Sequence, residues 1–230
     1  MRHAARRLYR TLVLCTTVLV TPSPNAHAQN STLFQLLPQL ERSAPKVSKH
    51  ILELALRAAS CAQARTNNHS PYLGIIDYSL PSSQRRFWLF DLAQKRLLRE
   101  ELVAHGRESG DAVATRFSNE PGSLQSSLGL FETGGTYNGE HGYSLYLHGL
   151  EKGFNDRAYD RAIVMHGASY VSDAFVSRWQ RLGRSWGCPA LSVDVAPKVI
   201  DYLKDGALLF AYYPDEKWLG QSEYLNGCEQ

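Results

Sequence analysis

The hydrophobic period of the chain changes once, at Pro71, and no other feature limits the possible folds as strongly. Upstream, Leu33, Leu36, Leu37 and Leu40 recur at helical spacing until Pro45. Ile51, Leu52, Ala55, Ala58 and Ala59 then make one apolar stripe within Ser48 to Ala64, with Ser48 placed to cap the helix and Cys61 in its last turn. Thr66 to Pro71 is a run of turn formers. Downstream the pattern becomes one of short β-rich runs. Tyr72–Ser79 and Arg86–Asp91 flank Leu80-Pro81-Ser82-Ser83 and predict a hairpin. Leu97–Ala104, Leu128–Thr133, Tyr143–His148, Ala162–Met165 and Ala207–Tyr213 predict further strands. Two helical stretches interrupt them: Ala174–Leu182, with Phe175, Trp179 and Leu182 on one face, and Val195–Lys204, with Pro197 in its first turn. Strands and helices do not alternate, so a doubly wound sheet is not expected. The pattern predicts an α+β fold, mainly β, with an N-terminal helical extension over 29–70 and a single domain over 71–230. Residues 106–127, rich in Gly, Ser and Asn, form a long loop of the kind that compact domains keep for function.

The first 28 residues read as an address. Arg2, Arg6, Arg7 and Arg10 precede the apolar run Leu12–Val20, no acid occurs before Glu41, and Pro22 and Pro24 end the run. Ala26-His27-Ala28 then supplies a small-x-small cleavage pattern, so a secretory signal peptide cut after Ala28 is expected, with an uncleaved anchor as the alternative. The run is too short to span a bilayer as a mature helix, and no later stretch is long and apolar enough. Without those four arginines the balance falls from 25 basic against 22 acidic residues to 21 against 22. A nearly neutral chain gives no electrostatic case for nucleic acid. Export carries Cys61, Cys188 and Cys228 into an oxidising compartment, where an odd count implies one disulfide and one free thiol.

The residues capable of chemistry are concentrated in one stretch. Ile163-Val164-Met165-His166-Gly167-Ala168 ends a buried strand on a histidine, and Gly183-Arg184-Ser185-Trp186-Gly187-Cys188-Pro189-Ala190-Leu191 follows. Gly187 permits close main-chain approach, while Pro189 drives Cys188 out of the helical region and removes the next amide hydrogen. Oxyanion donors must therefore come from Cys188 and the residues before it. A thiol with a reference pKa of about 8.5 needs a base or cation nearby, and His166 is of the type that takes and returns a proton. By residue types alone, a histidine and a cysteine in one chain are more often packing and surface than a reactive pair.

The motifs His166-Gly167-Ala168 and Ser185-Trp186-Gly187-Cys188 resemble those of the murein L,D-transpeptidase catalytic domain family, the YkuD-like cysteine enzymes of bacterial envelopes. Phe117-Ser118-Asn119, Ser126-Ser127-Leu128-Gly129 and His141-Gly142-Tyr143-Ser144 resemble its Ser-Trp-Gly-Cys-Pro-Ala branch, and the likeness runs from about Pro71 to Tyr213. The resemblance implies a β-sandwich of mixed sheets, Cys188 as nucleophile, and His166 as a base oriented by a backbone carbonyl. It implies no metal or organic cofactor, and peptidoglycan stem peptides as partners in the periplasm. Gly187, Trp186 and Ser185 would support the oxyanion and the cysteine loop. Two positions depart from the broader family, which carries His before the Gly-Cys pair and Arg two residues after the Cys; here they are Trp186 and Ala190. The second departure opens the question of how the substrate carboxylate is held, for which Arg184 is the candidate.

The implied reaction is acyl transfer through a thioester on Cys188, from a tetrapeptide stem to an amine of diaminopimelate or of a stem's first alanine. Transfer to water would make a carboxypeptidase of the same site, and a wall-binding module without chemistry is the remaining rival. Gly167, Ser118, Asn119 and His148 are expected at the substrate groove, with solvated or structural roles as the simpler alternative. A zinc pair of His141 and His148 is disfavoured, because seven residues along a regular strand point the rings to opposite faces. His105, at a strand end, reads as a satisfied histidine or a substrate contact, and His50 and His69 as surface. Cys61 and Cys228 read as a clamp tying the helical extension to the C-terminal tail, worth about 4–5 kcal/mol by the chain-entropy estimate. That pairing leaves Cys188 free; the alternatives are two reduced thiols or a bridge between chains.

Overall fold

A computed structural model describes residues 33–66 and 69–228, so the expected signal peptide lies outside the described residues. The helical extension forms as the leucine and alanine spacing predicts. Helix α1 (Leu37–Ser43) is followed by α2 (Lys49–Thr66), which buries Ile51, Leu52, Ala55, Leu56, Ala58, Ala59 and Cys61. Its small alanines let the helix lie close against β1 (Tyr72–Asp77) and β8 (Leu208–Tyr212).

The remaining strands are β2 (Phe87–Asp91), β3 (Arg96–Glu101), β4 (Gly129–Gly139), β5 (Gly142–Gly149), β6 (Val164–Gly167) and β7 (Ala190–Leu191). They form one mixed sheet in the order β3-β2-β1-β8-β4-β5-β6-β7. The β1–β2 hairpin is antiparallel as predicted, with Ile75 opposite Trp88. Two pairings are parallel, β1 with β8 and β6 with β7. The α+β class and the mixed pairing are as expected, but the two layers of a sandwich are continuous. β4 explains this. The sequence pattern ends a strand at Thr133, whereas β4 runs on through Gly134 and Gly135, where its register shifts. A bulge of this kind bends a strand sharply, so Gly129–Glu132 pairs with β8 while the rest follows β5. The far edges also meet, because Ala104, beyond β3, bridges to Ala190 of β7. The sheet thus curls into a nearly closed barrel.

Helix α4 (Ala196–Leu203) touches β1 as well as the adjacent β5 and β6, which lie farther along the sheet order, and so plugs the curl with Ala196, Val199, Ile200 and Leu203. Helix α3 (Asp173–Trp179) is capped by Ser172 Oγ, which accepts from Phe175 N at 3.1 Å, but it buries none of its residues. The predicted apolar face of Phe175, Trp179 and Leu182 is therefore not a core face. Leu182 lies beyond the helix in a small cluster with Leu102, Ala104, Val171 and Ala190. The C-terminal helices α5 (Glu216–Gln221) and α6 (Glu223–Asn226) were not legible in the hydrophobic pattern, being short and set by the caps of Asp215 and Ser222. They seat Trp218 in the core, where its indole N–H donates to the buried Glu151 carboxylate at 2.9 Å. Cys61 and Cys228 are joined in a disulfide with Cα atoms 5.6 Å apart, so α2 is tied to the C-terminal tail.

Candidate active site

His166 is placed by register. On β6 it lies opposite Ser144 of β5 on one side and Ala190 of β7 on the other. Its Nδ1 is 3.0 Å from the carbonyl oxygen of Gly167, which can only accept, so Nδ1 carries the proton and Nε2 keeps its lone pair. The β4–β5 turn folds over the strand and stacks the His141 ring on His166, with centroids 4.5 Å apart and planes inclined by 22°. Burial holds the His166 pKa below its ordinary value; the Gly167 carbonyl opposes this, and the charge of His141 adds to it.

The cysteine loop is fastened from several sides. Ser185 N donates to His105 O at 2.9 Å and Arg107 N donates to Ser185 O at 2.8 Å, a bridge to the strand-like segment after β3. Ser185 Oγ accepts from Gly187 N at 3.1 Å and donates to Cys188 O at 2.6 Å, closing the turn on itself. Gly187 has φ 129°, and a Cβ there would lie 2.8 Å from both Gln125 O and Ile163 Cδ1. A side chain at 187 would meet main chain as well as strain, so the glycine is required. The Gly187 amide is engaged by Ser185 Oγ and so is not open to a ligand.

Cys188 is 8% exposed and is the free cysteine among the described residues. Its Sγ lies 3.5 Å from Val164 N and 3.8 Å from Ala162 O. Burial pushes the thiol pKa up, while the Val164 N–H, the Arg161 guanidinium and the cysteine's own amide pull it back. Both groups are thus held toward their neutral forms, a thiol and an imidazole. The two open onto one cavity of about 450 Å³, walled also by Tyr137, His141, Arg161, Tyr170 and the 71%-exposed Trp186.

The structure gathers some of the expected groove residues and disperses others. Ser185, Trp186 and Arg184 line the cavity, but Arg184 is already committed to Gly110 O at 3.0 Å and to Asp111 at 3.3 Å. Gly167 orients His166 through its carbonyl. Ser118 and Asn119 border a different cavity of about 270 Å³ with Phe117 and Trp218, where Asn119 is held by Asp156 and Arg157. His148 does not line this cavity and stacks on Tyr159, with centroids 4.8 Å apart. His105 is fully buried under the cysteine loop, so the substrate-contact reading is replaced: its Nδ1 accepts from Arg86 at 2.7 Å. Burial, reinforced by Arg86, lowers its pKa to about 3. Residue types missed His141, as a partner of His166, and Arg161. Both approach through loops, which leave no periodic signal.

A buried thiol and an oriented imidazole lining one cavity are groups that nucleophilic cysteine chemistry uses. The sequence as a whole gives the family. A model of the L,D-transpeptidase catalytic domain matches residues 43–212, and the chain belongs to that family. Among solved structures it is similar to an L,D-transpeptidase from Mycobacterium smegmatis, 15% identical with a TM-score of 0.38, covering 62% of this chain and 59% of that one. An L,D-transpeptidase from Mycobacterium tuberculosis H37Rv is 13% identical, with a TM-score of 0.37 and coverage of 62% and 58%. One from Stackebrandtia nassauensis is 11% identical, with a TM-score of 0.37 and coverage of 83% and 91%. The chain therefore spans about three fifths of the length of the two mycobacterial proteins. No curated protein matches it.

Proposed function

We propose that the protein is an exported peptidoglycan L,D-transpeptidase that works by cysteine acyl transfer in the periplasm. The carrying observation is that the free Cys188 shares its cavity with a histidine whose Nε2 is left basic by the Gly167 carbonyl.

On this reading a tetrapeptide stem enters the cavity with the carbonyl of its third residue at the sulfur. His166 Nε2 takes the thiol proton as the sulfur attacks, so charge appears only as the bond forms. That order suits a site whose burial disfavours both ions at rest. The Cys188 amide receives the developing oxyanion. Collapse breaks the peptide bond, His166 returns the proton to the departing D-alanine amine, and a thioester remains. An acceptor amine from a second stem then loses its proton to His166 and displaces the sulfur, forming the cross-link and regenerating the thiol. Water in place of the amine gives the trimmed stem of a carboxypeptidase.

Mass analysis of products from purified protein and disaccharide-tetrapeptides tests this. Cross-linked dimers are expected. Trimmed monomers alone would reassign the site to hydrolysis, and unchanged substrate would contradict both.

A further inference from the structure

The cation in the cavity wall is held in an unusual way. Arg161 ends the series of turns over 151–162 and stands just before β6. Its Nη1 donates to Ser118 O and Ser127 Oγ, both at 2.6 Å, and its Nη2 donates to Gln125 O at 2.7 Å and Ser123 Oγ at 3.1 Å. All four acceptors are neutral. Among the described residues no carboxylate forms an ion pair with this guanidinium; Glu120 acts on it only through its charge and is itself bonded to Arg157 at 2.8 Å. Its positive charge is spread over hydrogen bonds but not cancelled.

Arg161 is also where the nucleophile loop meets the loop before β4. A Cβ at Gly187 would lie 3.5 Å from Arg161 Nη2 and 2.8 Å from Gln125 O, which Arg161 holds. The next residue, Ala162, sits at φ 54°, the left-handed region that costs a non-glycine residue about 1–2 kcal/mol. That turn lets the Arg161 side chain reach 118–127 while the Ala162 carbonyl faces the sulfur at 3.8 Å. Local strain at one residue is thus combined with a four-bond anchor at its neighbour, both beside Cys188.

We propose that Arg161 is a positioning residue of this site: it locks residues 118–127 against the Gly187-Cys188 turn and keeps one unneutralised positive charge in the wall that the sulfur shares. The inference deepens the transpeptidase reading and rests on Cys188 being its reactive sulfur. Burial alone would leave the thiol inert, and the Arg161 charge opposes that burial. The other titratable or charged groups around the sulfur are His166 on β6, Glu140 and His141 on the β4–β5 turn, Tyr78, Tyr170 and Arg184. Of the two arginines, Arg184 is paired with Asp111, a carboxylate that Arg181 shares.

The test is the pH profile of Cys188 alkylation by iodoacetamide, read by peptide mass, in the wild type, Arg161→Gln and Arg161→Lys. This needs no murein substrate, so a failure here is separable from a failure of turnover. Arg161→Gln is expected to move the midpoint up by roughly one pH unit, making alkylation at fixed neutral pH about tenfold slower. Arg161→Lys should restore most of that shift while losing the fork that holds 118–127. If Arg161→Gln does not fold, Ser123→Asp places a carboxylate beside the intact guanidinium and should raise the midpoint in the same direction. A midpoint that stays in place in every folded variant, with only the melting temperature changed, would overturn the proposal.

Discussion

The two halves of the curled sheet are built on different terms. In β1, β2 and β8 nearly every residue is buried, and Phe87, Trp88, Phe90 and Phe210 fill the interior under α2 and α4. In β4, β5 and β6 the burial alternates or breaks, the register slips at two glycines, and polar residues such as Ser144 and His166 occupy buried positions. The first half gains stability from continuous apolar contact. The second spends part of its regularity on holding a thiol, an imidazole and a guanidinium in one cavity wall. On the proposed mechanism, the difference implies that the reactive groups can be changed without loss of the fold, which the other half and the disulfide would hold.

That separation can be broken most forcefully at the sulfur. Cys188→Ala should abolish cross-linking, a loss of about 10⁴-fold or more, while thermal unfolding stays close to wild type. Coincident loss of stability would show that the reactive half is also structural. His166→Ala comes next, with a loss of about 10²–10⁴-fold in the rate of thioester formation measured by single-turnover mass kinetics. Its thiol should still react with strong alkylating agents at high pH.

The opposite half should give the opposite pattern. Phe210→Ala removes a fully buried ring packed 5.7 Å from Trp218 and is expected to cost about 3–5 kcal/mol in denaturant unfolding. Turnover per folded molecule should be unchanged. Opening the Cys61–Cys228 bridge, which spans 167 residues, by a double serine substitution should cost up to about 5 kcal/mol and likewise spare the chemistry.

The smallest effect sharpens the comparison within the reactive half. His141 stacks on His166 and its charge lowers the His166 pKa. His141→Ala removes the charge and uncovers the ring, and both changes raise that pKa. On the proposed mechanism His166 works as a base only when neutral, so the acid limb of kcat/KM should move to higher pH by less than about one unit. A limb that moves down, or stays, would separate His141 from the base.

The difference between the halves also governs what the sequence reveals. β1, β2 and β8 were legible as short, nearly continuous apolar runs, and helices α2 and α4 because their apolar residues repeat at helical period. Cys188 with Gly187, and His166 with Gly167, were legible through two short motifs, each of residues that adjoin in sequence. Arg161 and His141 were not, since each reaches the site across a loop. Nor could periodicity show that β4 continues through Gly134 and Gly135 or that Ala104 meets Ala190, because register is a property of pairs of segments. Ser118 and Asn119 mark the opposite error. Their neighbourhood is close to the site, through the Ser118 carbonyl on Arg161, yet their side chains serve another cavity.

The central claim is a covalent one: acyl transfer passes through the sulfur of Cys188. Quenching the protein in acid seconds after mixing with a disaccharide-tetrapeptide, then digesting and weighing its peptides, tests it directly. The peptide containing Cys188 should carry the stem less its terminal D-alanine, and should lose it on addition of an acceptor amine. Cross-linked product formed with that peptide unmodified, or with the stem attached to another residue, would contradict the account.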